Sequence, residues 1–332
     1  MAEQAIYRPW AEMLAIRPLT PTTFTTVHPP LRMGNAKAIA YGGFALATAV
    51  KSASSTLPSS GPTYHLYSLT GNYLGPSSTS RPLKTTVRTI RQTRTFATRL
   101  VEVFQTQDNG SDRAVLVALA DFQVKEPSMP EMVYSAPPTR PYTHHSSLEA
   151  TETQAMKLVS QGKVPEQVVS AYSHAFGLMQ SLFTTKQAPE GIFAQNLTGI
   201  AKHLPTTQDS LPLTQRSTAD WLRSKHELPN QEEQVALLAF VLDGAIAFAP
   251  LAFSHMFLDD SGATSSLDFA LRVFSTEVDL TQWCLREMTT HVGNEGRTYS
   301  ESRLWDEGGR CVACMTQQSV MRPKKGAAKG RL

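Results

Sequence analysis

The sequence of 332 residues predicts an α+β fold of two similar units, each a curved antiparallel sheet wrapped around a central helix. The first observation is an apolar segment of helical character in each half, at 36–54 and 232–253. Each segment is followed by a run of strand-like stretches. A polar turn signal stands at a matching place in both runs, at 108–111 and 306–309. The repeat of this order indicates an internal duplication.

The first unit is predicted to begin with a helix over 36–54, whose small and apolar residues lie on all sides and suit a buried position. Gly42 and Gly43 would each weaken a helix interior by roughly 1 kcal/mol, so we expect them at its start or at a close contact. Alternation of apolar and polar residues over 95–104 predicts a half-exposed strand. The strands expected in this unit are 63–69, 83–91, 95–105 and 114–124.

The middle of the chain carries weaker signals. Pro, Ser and His are frequent over 126–147, which is typical of a connector between domains. The stretch 148–230 predicts a short helix and then strands at 193–200 and 216–223. The sequence therefore predicts an N-terminal domain, a Pro-rich linker, a C-terminal domain and a basic tail, at 1–125, 126–165, 166–322 and 323–332.

The second unit repeats the pattern of the first. A buried helix is predicted over 232–253, and Asp243 is the only charged residue in its apolar interior. Both units end in a strand that carries a glutamine, Gln123 in the first and Gln317 in the second. The strands expected after the second helix are 266–275, 282–290, 298–306 and 310–321.

Composition and charge exclude several classes of protein. Charged residues make up 18% of the chain and the net charge is +3, with basic residues clustered only at 322–331, so we expect no nucleic-acid partner. The apolar run 235–253 contains Asp243, Gly244 and Pro250, and it indicates a buried helix rather than a membrane span. Residues 1–9 lack an apolar signal region, so secretion is not expected.

Cysteine and histidine spacing predicts neither a metal site nor a cofactor. Cys311 and Cys314 form a lone pair without the second pair that a zinc site needs, and with Cys284 they cannot build a disulfide framework. We expect buried, inert thiols. His144 and His145 stand in the Pro-rich connector, where we expect a solvated pair rather than metal ligands.

Short motifs stand in a fixed order along most of the chain, except over 126–230. In the first half they are Tyr-Gly-Gly at 41–43, HLYSLTGNYLGP at 65–76 and RQTRTFATR at 91–99. In the second half they are Leu-Asp at 242–243, Ser-Leu-Asp at 266–268, LTQWCL at 280–285 and TQQSVMR at 316–322. In this order they resemble landmarks of the acyl-CoA thioesterase II family. The resemblance implies a double-hotdog fold, which agrees with the duplication.

The resemblance also implies a catalytic site in which three side chains hold the water that attacks a thioester. Its aspartate on the second hotdog helix corresponds to Asp243, and its glutamine on the last strand corresponds to Gln317. Its threonine corresponds to Ser266, which keeps the hydroxyl and lacks the methyl group.

The first hotdog helix is expected to contact the substrate at its start, through Gly42, Gly43 and Phe44. Phe44 stands where the family usually has Gln, and Tyr67 and Gly75 replace a usual His and Arg. These replacements remove polar groups that would line the acyl or CoA channel. The resemblance therefore predicts a specialised acyl-thioester as substrate.

Physical reasoning alone leaves two interpretations of Asp243. A charge inside an apolar helix costs several kcal/mol unless it is hydrogen-bonded, so this carboxylate is either a structural acceptor or a group that orients and partly deprotonates water. Gln317 is alternatively an ordinary edge-strand amide, and Ser266 a hydroxyl at a strand start. A one-residue strand slip would place Gln318 at the site instead.

The sequence thus predicts a hydrolase that converts acyl-CoA or a related acyl-thioester into a free acid and CoA, in fatty acid metabolism. Two alternatives stay open: a hotdog dehydratase or isomerase that uses Asp243 as a proton-transfer base, and a non-catalytic protein that binds acyl-thioesters. A homo-oligomer is expected from the resemblance. The C-terminal Gly330-Arg331-Leu332 departs from Ser-Lys-Leu in two places, so peroxisomal and cytoplasmic locations are both expectations.

Overall fold

The computed structural model describes residues 7–34, 37–126 and 132–324. Most of the predicted basic tail, with its C-terminal Gly330-Arg331-Leu332, lies outside the described residues. The first residues of the chain and residues 127–131 of the predicted linker also lie outside the described residues.

The described part of the chain forms both short and long helices and an extensive set of strands. The helices are α1 (Trp10–Met13), α2 (Gly43–Ser54), α3 (Thr151–Ser160), α4 (Glu166–Leu182), α5 (Ile192–Asn196), α6 (Gln231–Leu242) and α7 (Ala249–Phe253). The strands of the first half are β1 (Ile16–Thr20), β2 (Thr23–Thr26), β3 (Tyr64–Tyr73), β4 (Lys84–Gln92), β5 (Phe96–Thr106) and β6 (Asp112–Val124). The remaining strands are β7 (Phe183–Gln187), β8 (Ser217–Ser224), β9 (Ser261–Ser266), β10 (Asp268–Val273), β11 (Cys284–Asn294), β12 (Arg297–Asp306) and β13 (Cys311–Pro323).

All of these strands belong to one antiparallel sheet that runs through both halves. Its order is β1-β2-β4-β5-β6-β3-β10-β13-β12-β11-β8-β7, and β9 pairs with β13 beside this path. The two halves join where β3 pairs with β10, with Leu69 opposite Leu271. The predicted α+β double-hotdog architecture is therefore confirmed, and the sheets of the two units join edge to edge into one continuous sheet.

The two central helices pack against each other inside the curved sheet and run in opposite directions. The start of α2 meets the end of α6, where the rings of Phe44 and Phe240 lie edge to face with centroids 5.1 Å apart. The end of α2 meets the start of α6, where Lys51 forms an ion pair with Glu233. Both helices are buried almost throughout, which explains why neither has an exposed polar face.

Both central helices are shorter than predicted. Gly43 opens α2, as expected for a glycine at a close contact, because a Cβ there would lie 2.4 Å from the Tyr41 ring. The predicted helix 232–253 is interrupted over 243–248 by turns, with Ala245 at a φ of +74°. Pro250 in the first turn of α7 explains the interruption, since a proline ring clashes with the preceding helical turn.

The middle of the chain differs most from the prediction. The strand expected at 193–200 is wrong: α5 ends at Asn196, whose side-chain amide binds Ala252 O and Gly199 N–H and holds a left-handed turn. Helices α3 and α4 replace the single short helix, and α3 lies within the predicted linker. The strand expected at 216–223 is present as β8. Within the described ranges, no helix combines the length and apolarity that a membrane crossing requires.

Candidate active site

Asp243 caps the C-terminal end of α6 and is buried, with 6% of its surface exposed. Its Oδ1 accepts a hydrogen bond from Gln317 Nε2 at 2.5 Å and another from the Tyr73 hydroxyl at 3.0 Å. No lysine, arginine or histidine of the described residues lies within ion-pair distance of this carboxylate. The side-chain donors to Asp243 are thus neutral, while the nearby Arg286 binds the carbonyls of Val241 and Gly244 instead.

Burial raises the pKa of Asp243 to about 6, because a carboxylate loses its hydration inside the protein. Hydrogen bonds from Gln317, Tyr73 and the Gly43 N–H act in the opposite direction and keep this pKa from rising further. At neutral pH the group is mostly ionised, yet its pKa is close enough to the ambient pH for proton transfer in either direction.

Gln317 and Ser266 reach Asp243 from adjoining strands. Gln317 points from β13 into the interior, with 1% exposed, while Gln318 faces the other side and its N–H donates to Asp268. Ser266, at the end of β9, donates its hydroxyl to Gln317 Oε1 at 2.9 Å. The structure therefore brings the three sequence-predicted side chains into one hydrogen-bonded chain, Ser266 to Gln317 to Asp243.

Two tyrosines complete the surroundings of Asp243, and the sequence analysis did not identify them as part of the site. Burial raises the pKa of both Tyr41 and Tyr73 well above the ordinary value, so both are neutral donors. Tyr41 donates to the Phe240 carbonyl at 2.5 Å. Tyr73 ends β3 within the motif HLYSLTGNYLGP, and its place in that motif was the one available signal.

The two glycines at the start of α2 allow close contact between this backbone and the surroundings of Asp243. A Cβ on Gly42 would lie 3.1 Å from Asp243 Oδ2 and 3.0 Å from the Tyr73 hydroxyl. A Cβ on Gly43 would lie 2.9 Å from the Phe240 carbonyl. The N-terminal end of a helix also carries partial positive charge, which favours negative charge nearby. Backbone of the predicted substrate-binding segment therefore adjoins Asp243.

Phe44 differs from the two glycines. Its side chain is 2% exposed and packs against Phe240 in the core between the central helices. The structure therefore places this side chain in the core between the central helices and not at Asp243. Its predicted role in substrate binding stays a prediction.

The histidine pair of the connector meets Glu307 of the β12–β13 turn. Potential ligand atoms of His144, His145 and Glu307 lie within 4.8 Å of one another, the one such group in the described residues. His145 Nε2 is 2.7 Å from Glu307 Oε1. These are the residues that could hold a metal ion. Burial raises the thiol pKa values of Cys284 and Cys314, to about 12 and about 11. Cys284 is buried as expected, whereas Cys311 and Cys314 are partly buried.

Comparison with known families confirms the resemblance that the motifs indicate. Residues 29–123 match the acyl-CoA thioesterase N-terminal domain, and residues 179–321 match the acyl-CoA thioesterase C-terminal domain. Together the two matches span more than half of the chain. No curated protein sequence matches the chain.

Solved structures share the architecture at low sequence identity. An acyl-CoA thioesterase II from Mycobacterium marinum is 18% identical, with 96% of this chain and 98% of its own covered and a TM-score of 0.64. A TesB protein from Mycobacterium avium subspecies paratuberculosis is 16% identical, with 95% and 98% covered and a TM-score of 0.63. A hotdog-fold protein of unknown function from Alicyclobacillus acidocaldarius is 14% identical, with 96% and 99% covered and a TM-score of 0.64. At such identities the similarity shows the fold.

Proposed function

Because the chain belongs to the acyl-CoA thioesterase family, we propose that it hydrolyses an acyl-CoA or a related acyl-thioester with a water molecule placed by Asp243. Water adds to the thioester carbonyl, the C–S bond breaks, and the products are a carboxylic acid and a free thiol. The observation that carries the proposal is the buried Asp243 carboxylate, joined to Gln317 and Ser266 and without a cation.

Asp243 acts as the general base. Its pKa of about 6 leaves it ionised at neutral pH, and the carboxylate accepts a proton from water as the water oxygen attacks the carbonyl carbon. Since Gln317 and Tyr73 both donate to Oδ1, we assign the attacking water to the second oxygen, Oδ2, which lies beside Gly42. The proton then passes to the departing thiolate.

Gln317 and Ser266 position the base and the water. The Gln317 amide binds Asp243 through its nitrogen and Ser266 through its oxygen, so its orientation is fixed from both ends. The Ser266 hydroxyl can turn from Gln317 to a water placed between these groups. The Gly42 N–H is the candidate donor to the carbonyl oxygen, where negative charge develops during attack. The next N–H groups of α2 already bind Asp243 or backbone carbonyls.

The test is release of free thiol from a panel of acyl-CoA substrates by the wild type and by Asp243→Asn. Loss of the base predicts a fall in turnover by a factor of about a hundred or more. The matched control is Asp279→Asn, which changes an exposed aspartate in a turn and should retain full activity.

Three outcomes would contradict the proposal. Full activity in Asp243→Asn would remove its role as base. Dehydration or isomerisation of a substrate without release of thiol would favour a hotdog dehydratase or isomerase. Binding of acyl-thioesters with no turnover by the wild type would favour a non-catalytic binding protein.

Assembly and location stay predictions. We propose a homo-oligomer, which light scattering on the full chain would measure. We also propose import into peroxisomes through Gly330-Arg331-Leu332, with a cytoplasmic location as the alternative. Imaging of the full chain with and without its last three residues separates the two.

A further inference from the structure

A cavity lies inside the second half, directly beside the segment that follows Asp243. It is enclosed by α4, by the inner face of β7, β8 and β11, and by Gly244 and Ala245 of the interrupted helix. Contact across this wall is close, because a Cβ on Gly244 would lie 2.8 Å from Met179 Cε. The residue next to Asp243 is thus part of the cavity wall.

The backbone around the cavity is strained at two places. Ala245 and Thr198, which both line it, have φ angles of +74° and +58°, in the left-handed region that costs a residue with a side chain about 1 kcal/mol or more. Leu197, beside Thr198, has a φ of +50°. Such strain persists where the surrounding packing enforces it, and it concentrates at functional sites.

The cavity wall combines apolar side chains with a neutral polar part. Phe176 and Met179 contribute the apolar surface from α4. Arg286 and Asp220 contribute the polar part of the wall as a bidentate ion pair, with Nε to Oδ1 at 2.9 Å and Nη2 to Oδ2 at 2.7 Å. Arg286 and Asp220 are the cavity's charged residues, and their charges cancel. The Nε2 group of Gln180, another lining residue, is buried without a hydrogen-bond acceptor among the described residues.

We propose that this cavity receives the acyl group of the substrate and selects a short, uncharged acyl group that carries a hydroxyl or keto oxygen. The inference rests on the proposed function, since it assumes that the thioester lies at Asp243. From there the acyl group passes Gly244 into the cavity, and its oxygen accepts the hydrogen bond of the unpartnered Gln180 amide.

The size of the cavity limits the length of the acyl group. The cavity volume is about 60 Å³. A single water needs about 10–15 Å³ by the same measure, so the cavity holds about four to six non-hydrogen atoms. A longer chain would have to displace Phe176 or Met179 from the packed wall.

The charge balance of the cavity excludes an ionised acyl group. A terminal carboxylate would be buried without a cation, because the one lining arginine is already paired with Asp220. Burial of an unpaired charge is far more costly than burial of a hydroxyl that finds one donor. A dicarboxylic acyl-CoA is therefore expected to be rejected, although it has the right size.

The first experiment measures binding and turnover for butyryl-CoA, 4-hydroxybutyryl-CoA, succinyl-CoA and octanoyl-CoA. Calorimetry on Asp243→Asn gives affinity without turnover, and thiol release by the wild type gives kcat/KM. A neutral hydrogen bond predicts a preference of about fivefold for 4-hydroxybutyryl over butyryl. Succinyl and octanoyl should be at least about tenfold worse. A preference for octanoyl or succinyl would overturn the inference and leave the proposed function intact.

Failure of the proposed function gives a different result. Suppose that the wild type releases no thiol, while both the wild type and Asp243→Asn bind 4-hydroxybutyryl-CoA best. That result supports the assignment of the cavity and contradicts the proposed hydrolysis. If all four thioesters bind equally, the pocket assignment is overturned whether or not thiol is released.

Variants of the cavity wall supply the second experiment. Met179→Ala should enlarge the cavity and shift the preference toward octanoyl, whereas Met156→Ala, at an exposed position of α3, should not. Gln180→Leu should abolish the preference for 4-hydroxybutyryl over butyryl, whereas Gln167→Leu on the solvent side of α4 should keep it. Unchanged selectivity in folded Met179→Ala and Gln180→Leu proteins would overturn the inference.

Discussion

The two ends of the antiparallel helix pair α2 and α6 each hold a carboxylate, buried at Asp243 and partly buried at Glu233, and the two carboxylates have different partners. At one end Asp243 accepts hydrogen bonds from the Gln317 amide and the Tyr73 hydroxyl, and it has no cation beside it. At the other end Glu233 accepts the Lys51 ammonium at 2.5 Å and the Trp10 indole N–H at 2.9 Å.

The difference separates a carboxylate that holds the fold together from one that is suited to chemistry. A lysine beside Glu233 balances its charge and ties the end of α2 to the start of α6. Asp243 has no such ion pair, and burial raises its pKa toward neutrality. The duplicated fold thus carries a structural acid at one end of its helix pair and a candidate base at the other.

The largest expected effect is the loss of stability when the ion pair between Lys51 and Glu233 is removed. Lys51→Met leaves the partly buried Glu233 without its cation. Because this carboxylate keeps 12% of its side chain exposed, we expect a loss of about 3 kcal/mol of unfolding free energy, the lower end for a buried pair. Urea unfolding measures the loss, and turnover per folded molecule should not change. A variant as stable as the wild type, or a folded variant without activity, would contradict the assigned role.

The second effect concerns stability at the other end as a function of pH. The folded-state pKa of Asp243, about 6, lies above its ordinary value of 3.8, so the native state holds this proton more tightly than the unfolded state. Stability should therefore fall as pH rises from about 4 to about 6 and stay level above, by roughly 3 kcal/mol for a shift of about two units.

The measurement is the free energy of unfolding of wild type minus that of Asp243→Asn across this pH range. Other titrating groups contribute to both proteins and cancel in the difference. A difference that is independent of pH would show that Asp243 does not have a raised pKa.

The third effect separates two buried glutamines. Gln317→Ala removes the donor that orients Asp243, and we expect turnover to fall by about ten- to a hundredfold while unfolding stays cooperative. The control is Gln105→Ala in the first half, which removes bonds to the Ser78 N–H and carbonyl. It should cost about 1–3 kcal/mol of stability and leave turnover unchanged. Loss of cooperative unfolding in Gln317→Ala would make Gln317 structural.

The same contrast shows what the sequence could predict. Asp243 was recognisable because it is the lone charge in an apolar segment, and Gln317 and Ser266 were recognisable from motif positions. Tyr73 comes from the other half of the chain and reaches Asp243 only because β3 pairs with β10. Glu233 lies at a helix start, where acidic residues are common, so its partner Lys51 required the three-dimensional structure.

Position within the repeat was less informative than local burial. Gln123 and Gln317 both lie on the last strand of their units, yet Gln123 is exposed and Gln317 is buried against Asp243. The interruption after Leu242 was also not predicted, because the apolar pattern continues through it. It is nevertheless the feature that frees Gly244 and Ala245 to line the cavity.

The central claim is that Asp243 activates water and does not itself attack the thioester. A single turnover in water enriched in oxygen-18, with enzyme in excess over the acyl-CoA, tests this directly by mass spectrometry of acid and enzyme. Direct attack by water predicts one heavy oxygen in the first carboxylic acid formed and none in the protein. Heavy oxygen in Asp243, with an unlabelled acid from the first turnover, would contradict the account by identifying an acyl-enzyme.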